Sequence, residues 1–476
     1  MEEMTQQLQI SGSKGSNTHM KRVIIAVMSL AAVAVAVVLW PRGGKRVPQS
    51  LDLTVHFTCD TIGRLEPCGC FSGQHGGLTR LKSWLAKNPP PGPAVNVDIG
   101  GALAGPEDYD LIQHRYLTRA FASMGFHALN VGGREASIPA TALKTMAAAS
   151  AVPMISASVV DAASREPLLP AYRVVEAGGR RIGILGVVSP RSVPAPGEGI
   201  AVLALNEAVD RHLPELAARC DLVMLLAFAN EEELRLLARD YFEFALILGG
   251  DVPSPSQELV RENDSLILFT TNQGRTVGTF AAKVSAGPRV TLTDPRFEIE
   301  LLWERIPQHE EMRALVREFR KEVRDTKLAV DDPLHFDPGD IPGVKRGAGY
   351  VGSAACVECH QQAAAVWKKS GHSHAFRTLV EKGADADPHC VRCHTIGFGV
   401  PGGYRREFAD QQLIDVGCES CHGPGSPHID RLVHHKPNQF KFRPLGAADC
   451  TICHYGEFSR PFEWDEFWQP IKHGKE

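Results

Sequence analysis

Four Cys-x-x-Cys-His boxes in the last quarter of the chain carry the clearest chemistry in the sequence. Their cysteines and histidines are Cys356, Cys359 and His360; Cys390, Cys393 and His394; Cys418, Cys421 and His422; and Cys450, Cys453 and His454. Two thiols at this spacing can each add to one vinyl group of a single porphyrin, and the adjacent histidine then offers its imidazole to the iron. Zinc modules built from Cys-x-x-Cys pairs are the alternative, but they do not need a histidine directly after every pair. The boxes therefore predict four covalently bound haem c groups.

Seven further histidines in residues 348–476 are available as second axial ligands. They are His372, His374, His389, His428, His434, His435 and His473. A second histidine makes the iron six-coordinate, which suits outer-sphere electron transfer, whereas an open position suits ligand binding or catalysis. Because porphyrins would replace much of the side-chain core, we predict a mainly helical or irregular multihaem domain over 348–476.

This segment resembles the tetrahaem cytochromes that accept electrons from hydroxylamine oxidoreductase. The similar stretches are 350–353, 367–372, 418–428 and 471–474. The resemblance implies three axial pairs and one lone proximal ligand: His360 with His428, His422 with His372, His454 with His473, and His394 alone.

Four cysteines remain outside the boxes: Cys59, Cys68, Cys70 and Cys220. Cys68 and Cys70 are the candidate catalytic residues, with Cys59 nearby. Three thiols in one loop can bind a soft metal, form a disulfide in an oxidising compartment or take part in redox chemistry. The alternative is one structural disulfide and one buried thiol. We expect Cys220, which precedes an apolar strand, to be buried.

The positions of these thiols depend on the elements predicted for residues 51–305. Short apolar runs alternate with amphipathic ones, which indicates an α/β layered domain. Strands are predicted at 51–57, 95–98, 182–188, 222–226 and 245–248. Glycine-rich turns follow several strands, at the ends where α/β proteins usually place their sites.

The order of these pieces resembles the calcineurin-like metallophosphoesterase domain of the 5′-nucleotidase and UDP-sugar hydrolase family. The similar blocks are 60–65, 76–78, 98–101, 125–135 and 249–253. The resemblance implies a site for two metal ions about 3.5–4 Å apart. Asp60 and Asp98 match the acidic residues of the family's motifs. The family's other ligands and its catalytic histidine are replaced here by Ile62, Gly101, Gly133, Arg134, Asp251 and Pro253. We therefore predict a degenerate phosphoesterase fold without a divalent metal pair and without phosphoesterase activity.

Residues 306–347 are predicted to connect the two domains. Met312, Leu315, Val316, Phe319 and Val323 recur at helical spacing, which predicts an amphipathic helix that packs on another element. Proline- and glycine-rich turns follow and indicate a domain boundary.

The first 46 residues predict a membrane attachment. Residues 1–20 are polar, which predicts a disordered cytoplasmic tail. Residues 21–46 contain an apolar run, 23–40, of about the minimum length for a transmembrane helix. A cleaved signal peptide is the alternative. Because c-type haem is attached outside the cytoplasmic membrane, we expect a single-pass inner-membrane protein with both globular domains in the periplasm.

These observations favour a membrane-anchored periplasmic cytochrome that transfers electrons. The formal charge of −4 and the absence of a basic stripe exclude a nucleic-acid partner. We expect a redox partner protein or a quinol-side donor, with residues 51–305 as a docking or ligand-binding module. The alternative is an oxidoreductase that acts on a small nitrogen or sulfur compound, at the open haem of His394 or at the loop of Cys59, Cys68 and Cys70. Whether the protein is an enzyme stays open between these two.

Overall fold

The computed structural model describes residues 50–67, 74–271, 273–285, 290–326, 328, 349–405, 411–433, 444–455 and 459–474. The predicted tail over 1–20, the predicted anchor over 21–46, most of the link over 327–347 and the residues Cys68, Cys70, His434 and His435 lie outside these ranges. Among the described residues, no helix is both long and apolar enough to cross a membrane.

The N-terminal region contains a first six-stranded mixed sheet. Its strands in spatial order are β14 (Leu292–Leu301), β13 (Thr276–Ser285), β1 (Ser50–Thr58), β2 (Ala94–Asp98), β3 (Phe126–Asn130) and β4 (Met154–Ile155). Strands β1 to β4 are parallel, with Val55 opposite Val95, whereas β13 runs antiparallel to β1. The central strands are buried on both faces, which explains their nearly continuous apolar sequences.

A second six-stranded sheet follows the same plan. Its spatial order is β11 (Val260–Glu262), β12 (Ser265–Phe269), β10 (Phe244–Gly250), β9 (Leu222–Phe228), β7 (Arg180–Val188) and β6 (Tyr172–Ala177). Strands β7, β9, β10 and β12 are parallel. A separate antiparallel pair consists of β5 (Val159–Asp161) and β8 (Ile200–Val202).

Six helices cover these sheets in layers. They are α1 (Leu78–Lys87), α2 (Asp108–Ser123), α3 (Ala140–Ala149), α4 (Leu205–Arg219), α5 (Glu231–Asp240) and α6 (Glu310–Thr326). One apolar cluster contains Val55 of the first sheet together with Ile184 and Met224 of the second. A second cluster joins the second sheet to Leu213 of α4 and Leu234 of α5. The predicted α/β layering and the five predicted strands are confirmed.

Helix α6 packs on α1 and α2 through the apolar stripe predicted from the sequence. All five residues of the stripe are buried: Met312, Leu315, Val316, Phe319 and Val323. The Phe319 ring meets the rings of Tyr109 and Tyr116 edge-on, with both pairs of centroids 5.6 Å apart. The predicted amphipathic helix is therefore confirmed, and Phe319 lies at the centre of its contact with α2.

The C-terminal region consists of short helices joined by irregular segments. The helices are α7 (Ser353–Val357), α8 (Gln361–Trp367), α9 (Ala375–Lys382), α10 (Pro388–His394), α11 (Cys418–His422), α12 (Ser426–Val433), α13 (Ala447–Thr451) and α14 (Trp464–Trp468). A small apolar cluster surrounds Val391 of α10 and includes Leu379, Ile396 and Leu413. Between 349 and 474, the described residues contain no strand, only an isolated bridge between Thr395 and Ile414. The irregular, mainly helical architecture agrees with the prediction.

We predict that Phe319→Ala lowers the free energy of unfolding of the N-terminal region by about 3–5 kcal/mol, since it removes a buried ring and leaves a cavity. Denaturant titration of the full chain, followed by circular dichroism, measures this change. Arg313→Ala is the control, because its ion pair with Glu310 is exposed and contributes less than about 1 kcal/mol. Equal effects of the two substitutions would contradict the role assigned to α6.

Candidate functional site

Each Cys-x-x-Cys-His box lies on or directly after one turn of helix. The second and third boxes end α10 and α11, whereas the first and fourth begin in α7 and α13 and continue just beyond them. In the first box the N–H of His360 donates to the carbonyl of Cys356 at 2.9 Å, and His454 donates in the same way to Cys450 at 2.9 Å. Residues three and four apart share one helix face. The two thiols and the imidazole of a box can therefore approach one ligand together.

Three pairs of imidazole rings lie at the separation that an iron between them requires. The centroids are 6.1 Å apart for His360 and His428, 6.0 Å for His372 and His454, and 5.8 Å for His422 and His473. Two metal–nitrogen bonds of about 2.0–2.1 Å, plus about 1 Å from each nitrogen to its ring centre, place two centroids roughly 6 Å apart. These residues therefore fit a six-coordinate haem iron.

The structure corrects two of the three predicted pairs. The rings of His360 and His428 lie together, as the predicted pairing requires. The predicted pairings of His422 with His372 and of His454 with His473 do not match the structure, which brings His372 beside His454 and His473 beside His422. Helix α14 places Phe467 against His454, with centroids 4.9 Å apart, and the chain then continues to bring His473 beside His422. That all seven histidines bind iron stays a prediction.

His394 of the second box differs from the other three box histidines. Its Nδ1 donates to the carbonyl of Ala375 at 2.7 Å, which fixes the tautomer and leaves the other ring nitrogen for a metal. Within the described ranges, no second imidazole ring pairs with His394. The neighbouring His389 instead lies against the ring of Tyr109, with centroids 4.4 Å apart. The second box thus presents one imidazole where the others present two.

Burial keeps several of these imidazoles neutral. It lowers the pKa of His372 to about 4, and the nearby His454 and His394 lower it further. Burial also lowers the pKa of His394 and of His454. A neutral imidazole offers a ring nitrogen lone pair to a metal, which a protonated ring does not. These histidines are therefore in the form that can bind iron.

The boxes contact one another in pairs. The Cys356 thiol lies in hydrogen-bonding contact with that of Cys418, and the Cys393 thiol with that of Cys453. Beside the second contact, Arg392 donates to the hydroxyl of Tyr455 at 2.7 Å. The first box therefore lies against the third, and the second against the fourth.

The buried carboxylate of Glu419 joins the first and third boxes. It accepts the backbone N–H groups of Val351, Gly352 and Gly425 at 3.0, 2.7 and 2.6 Å. Burial of a carboxylate is costly unless its oxygens are bonded, so these contacts hold the approach to the first box in place. Glu419 was not among the residues predicted to be functional. The sequence signal for it is an acidic side chain between the two cysteines of the third box.

The N-terminal region has a cleft of about 540 Å³ at the carboxyl ends of its parallel strands. Its lining includes Asp60, Arg134, Ser192, Phe228 and Asp251. Arg134 stands where the resemblance implies a catalytic histidine, and its guanidinium forms an ion pair with Asp60 at 2.9 Å. An arginine side chain thus neutralises Asp60 inside the cleft.

Asp98, the second acidic residue that matches the family pattern, is buried, and its side chain points into the protein interior. Its carboxylate accepts from the Thr58 hydroxyl at 2.6 Å and from the N–H of Gly100 at 3.0 Å. Burial raises the pKa of Asp98 to about 8, and the nearby Glu135 and Asp60 carboxylates also raise it. Burial thus disfavours the charged form of this carboxyl.

Two glycines stand where the resemblance implies metal ligands. Gly101 has φ +77°, which strains any other side chain, and an added Cβ would lie 3.0 Å from the Cα and carboxylate of Asp60. At Gly133 an added Cβ would lie 2.3 Å from the carbonyl oxygen of Ser192. A side chain at Gly133 therefore needs a backbone shift, and one at Gly101 is strained by its left-handed backbone.

The cysteines outside the boxes are only partly described. Cys59 is a buried free thiol whose sulfur donates to the Gly100 carbonyl at 3.5 Å. Burial raises its pKa, which disfavours the reactive thiolate. Cys220 is half-buried rather than buried, as its side chain lies at the end of a helix instead of inside the following strand. Cys68 and Cys70 lie outside the described residues.

Comparison with known proteins distinguishes the two regions. Residues 355–423 match the sequence model of the family described as cytochrome c554 and c-prime. An alignment of 93 positions, which covers 16% of this chain and 40% of the other, is 39% identical to cytochrome c-554 of Nitrosomonas europaea. The C-terminal region resembles cytochrome c554. The match implies a multihaem c-type cytochrome with covalently bound haem c.

The N-terminal region is similar in structure to a solved 5′-nucleotidase precursor from Thermus thermophilus. The TM-score is 0.50 at 21% identity, over 59% of this chain and 60% of that one. A calcineurin-like phosphoesterase from Bacillus subtilis aligns with a TM-score of 0.48 at 16% identity, over 57% of this chain and 98% of that one. The first likeness shows the fold, a calcineurin-like α/β phosphoesterase fold. The chain spans less than two thirds of the nucleotidase and of the cytochrome.

We predict that His473 serves the third box. Replacing both cysteines of that box, Cys418 and Cys421, with alanine should remove the third haem. In that background His473→Leu should add no high-spin haem, because the haem it would serve is already missing. Electron paramagnetic resonance of the oxidised protein counts the high-spin haems.

The matched control removes the fourth haem instead, by Cys450→Ala and Cys453→Ala. In this background His473→Leu should still add one high-spin haem. The reverse result, a new high-spin haem only when the third box is disabled, would restore the pairing of His473 with His454.

Proposed function

We propose that the chain is a membrane-anchored periplasmic cytochrome that carries four haem c groups and transfers single electrons. The observation that supports this best is the set of three imidazole pairs 5.8–6.1 Å apart, each containing one box histidine. Haem iron, when bound, carries one electron by cycling between its ferric and ferrous forms. The match to cytochrome c554 supports the same class of protein.

Different residues of the boxes hold different parts of each cofactor. The eight box cysteines supply the covalent attachments, and His360, His422 and His454 supply one axial imidazole each. His428, His473 and His372 then close the opposite faces of these three sites. With both faces closed, a small molecule cannot reach the iron, and these three sites are suited to outer-sphere electron transfer.

Contacts between boxes support electron exchange within one chain. Cys356 touches Cys418, and Cys393 touches Cys453. Attachment points in contact place neighbouring haem sites side by side, as rapid exchange of single electrons needs. We propose that electrons enter from a redox partner protein or a quinol-side donor, and that the segment 21–46 anchors the chain in the inner membrane.

The phosphoesterase-like region serves, in this proposal, as a docking or ligand-binding module and not as a hydrolase. Three observations support this. Arg134 holds Asp60 in an ion pair inside the cleft, and Asp98 is bonded internally. At two further positions, Gly101 and Gly133, the backbone disfavours a ligand side chain.

A second function has one observation in its favour. His394 has no imidazole partner in the part of the chain that the structure describes, so an iron held there would have an open face. An oxidoreductase that acts on a small nitrogen or sulfur compound would use such a face. A change in the high-spin signal on addition of nitrite, hydroxylamine or nitric oxide, followed by turnover, would favour this second function over the carrier.

We predict that the full chain sediments with membranes, requires detergent for release and contains four irons. Reductive titration should consume four electrons per chain, and metal analysis should find no other stoichiometric metal. Added Mn²⁺ should not produce hydrolysis of a nucleotide or an aryl phosphate. These measurements need a host that attaches haem c.

The matched control is the variant with Cys450→Ala and Cys453→Ala, which should accept three electrons and keep the same membrane attachment. Release by salt alone would contradict the anchor. Metal-dependent phosphate ester hydrolysis, or a second stoichiometric metal in the N-terminal region, would contradict the proposal that this region is not a phosphoesterase.

A further inference from the structure

Tyr109, near the start of α2 in the N-terminal region, makes two contacts with the C-terminal region. Its buried hydroxyl donates to the Oδ2 atom of Asp387 at 2.8 Å. Its ring also lies against the ring of His389, with centroids 4.4 Å apart. Both contacts fall within four residues of Cys390, the first cysteine of the second box.

Asp387 connects this contact to the box itself. Its other carboxylate oxygen, Oδ1, accepts the N–H of His389 at 3.0 Å and so caps α10, the helix that carries the second box. Pro388 occupies the first turn of that helix, where the missing N–H is not needed. One buried carboxylate thus bonds the N-terminal region with one oxygen and the box helix with the other.

Two arginines of α6 strengthen the same interface. Arg320 forms an ion pair with Glu66 and also donates to the carbonyl of Lys382. Arg324 pairs with Asp385 at 2.8 Å. The segment 382–389, which leads directly into α10, is therefore held at three points by elements of the N-terminal region.

We propose that the phosphoesterase-like domain completes the second haem site, with Tyr109 as a positioning residue that acts through Asp387. This rests on the proposed function of the second box as a haem site. The other three box histidines each face a second imidazole, which helps to set the iron position. Among the described residues, no second imidazole faces His394, which lies at the end of α10 and donates to the Ala375 carbonyl. The domain contact therefore has the greatest influence at this site.

The chain offers a closely matched control for Tyr109. Tyr116 also lies on α2, its ring also meets Phe319 at 5.6 Å, and its hydroxyl also donates to a carboxylate at 2.8 Å. That carboxylate belongs to Glu322 of α6, not to the C-terminal region. Tyr116→Phe therefore removes an equivalent hydrogen bond without disturbing the second box.

The test is electron paramagnetic resonance of the oxidised full chain, together with the midpoint potential of each haem. In Tyr109→Phe we expect the high-spin signal and the potential of the second haem to shift, while the three low-spin haems stay unchanged. In Tyr116→Phe we expect all four to match the wild type. An unchanged second haem in Tyr109→Phe, or equal changes at all haems in both variants, would overturn the proposal.

Asp387→Ser provides an independent variant, because serine caps a helix but is too short to reach Tyr109. It should reproduce the shift of Tyr109→Phe, and the double variant should shift no further, since both changes break one interaction. Additive shifts would overturn the proposal. Haem stoichiometry is measured first: a wild-type chain without a haem on the second box would overturn the proposed function itself, independently of Tyr109.

Discussion

In the proposed cytochrome, the fixed separation of two imidazole rings across one iron is the constraint on which the C-terminal region depends. The three pairs join distant segments: His360 to α12, His372 to the residues after α13, and His422 to the chain end. The helices of this region have five to eight residues, too few to be stable alone. Its apolar cluster is small and centred on the second box. In the proposed cytochrome, cofactor attachment and axial bonds therefore supply much of the folding free energy, as metals do in small metalloproteins.

The N-terminal region, by contrast, has a large apolar core of its own. That core extends across two sheets and six helices. The Arg134 guanidinium places a positive charge beside Asp60, where the resemblance implies a metal ion. Glycines stand at two of the ligand positions that the resemblance implies. The contact of Tyr109 with Asp387 joins this stable domain to the box that has only one imidazole. In the proposed arrangement, this contact lets the phosphoesterase-like domain contribute rigidity to the second box.

Much of this arrangement was predictable from the sequence, because local patterns determine it. The spacing of cysteines and histidines identifies the boxes, and alternating apolar runs predict strands such as β1 and β7. The partners of His372 and His473 were not predictable, since pairing depends on how α14 directs the chain, not on residue type. The Asp387–Pro388 pair before the second box is a helix-start signal that predicts α10. The hydrogen bond from Tyr109 to Asp387 joins residues far apart in sequence, so no local sequence pattern predicts it.

The most direct measurement of the central claim is low-temperature electron paramagnetic resonance of the oxidised wild-type chain, with spins counted against haem content. We expect three low-spin haems with two imidazole ligands each and one high-spin haem. Four low-spin haems would mean that His394 has a second strong ligand. Two or fewer would mean that at least one of the three imidazole pairs does not hold an iron, which would contradict the account.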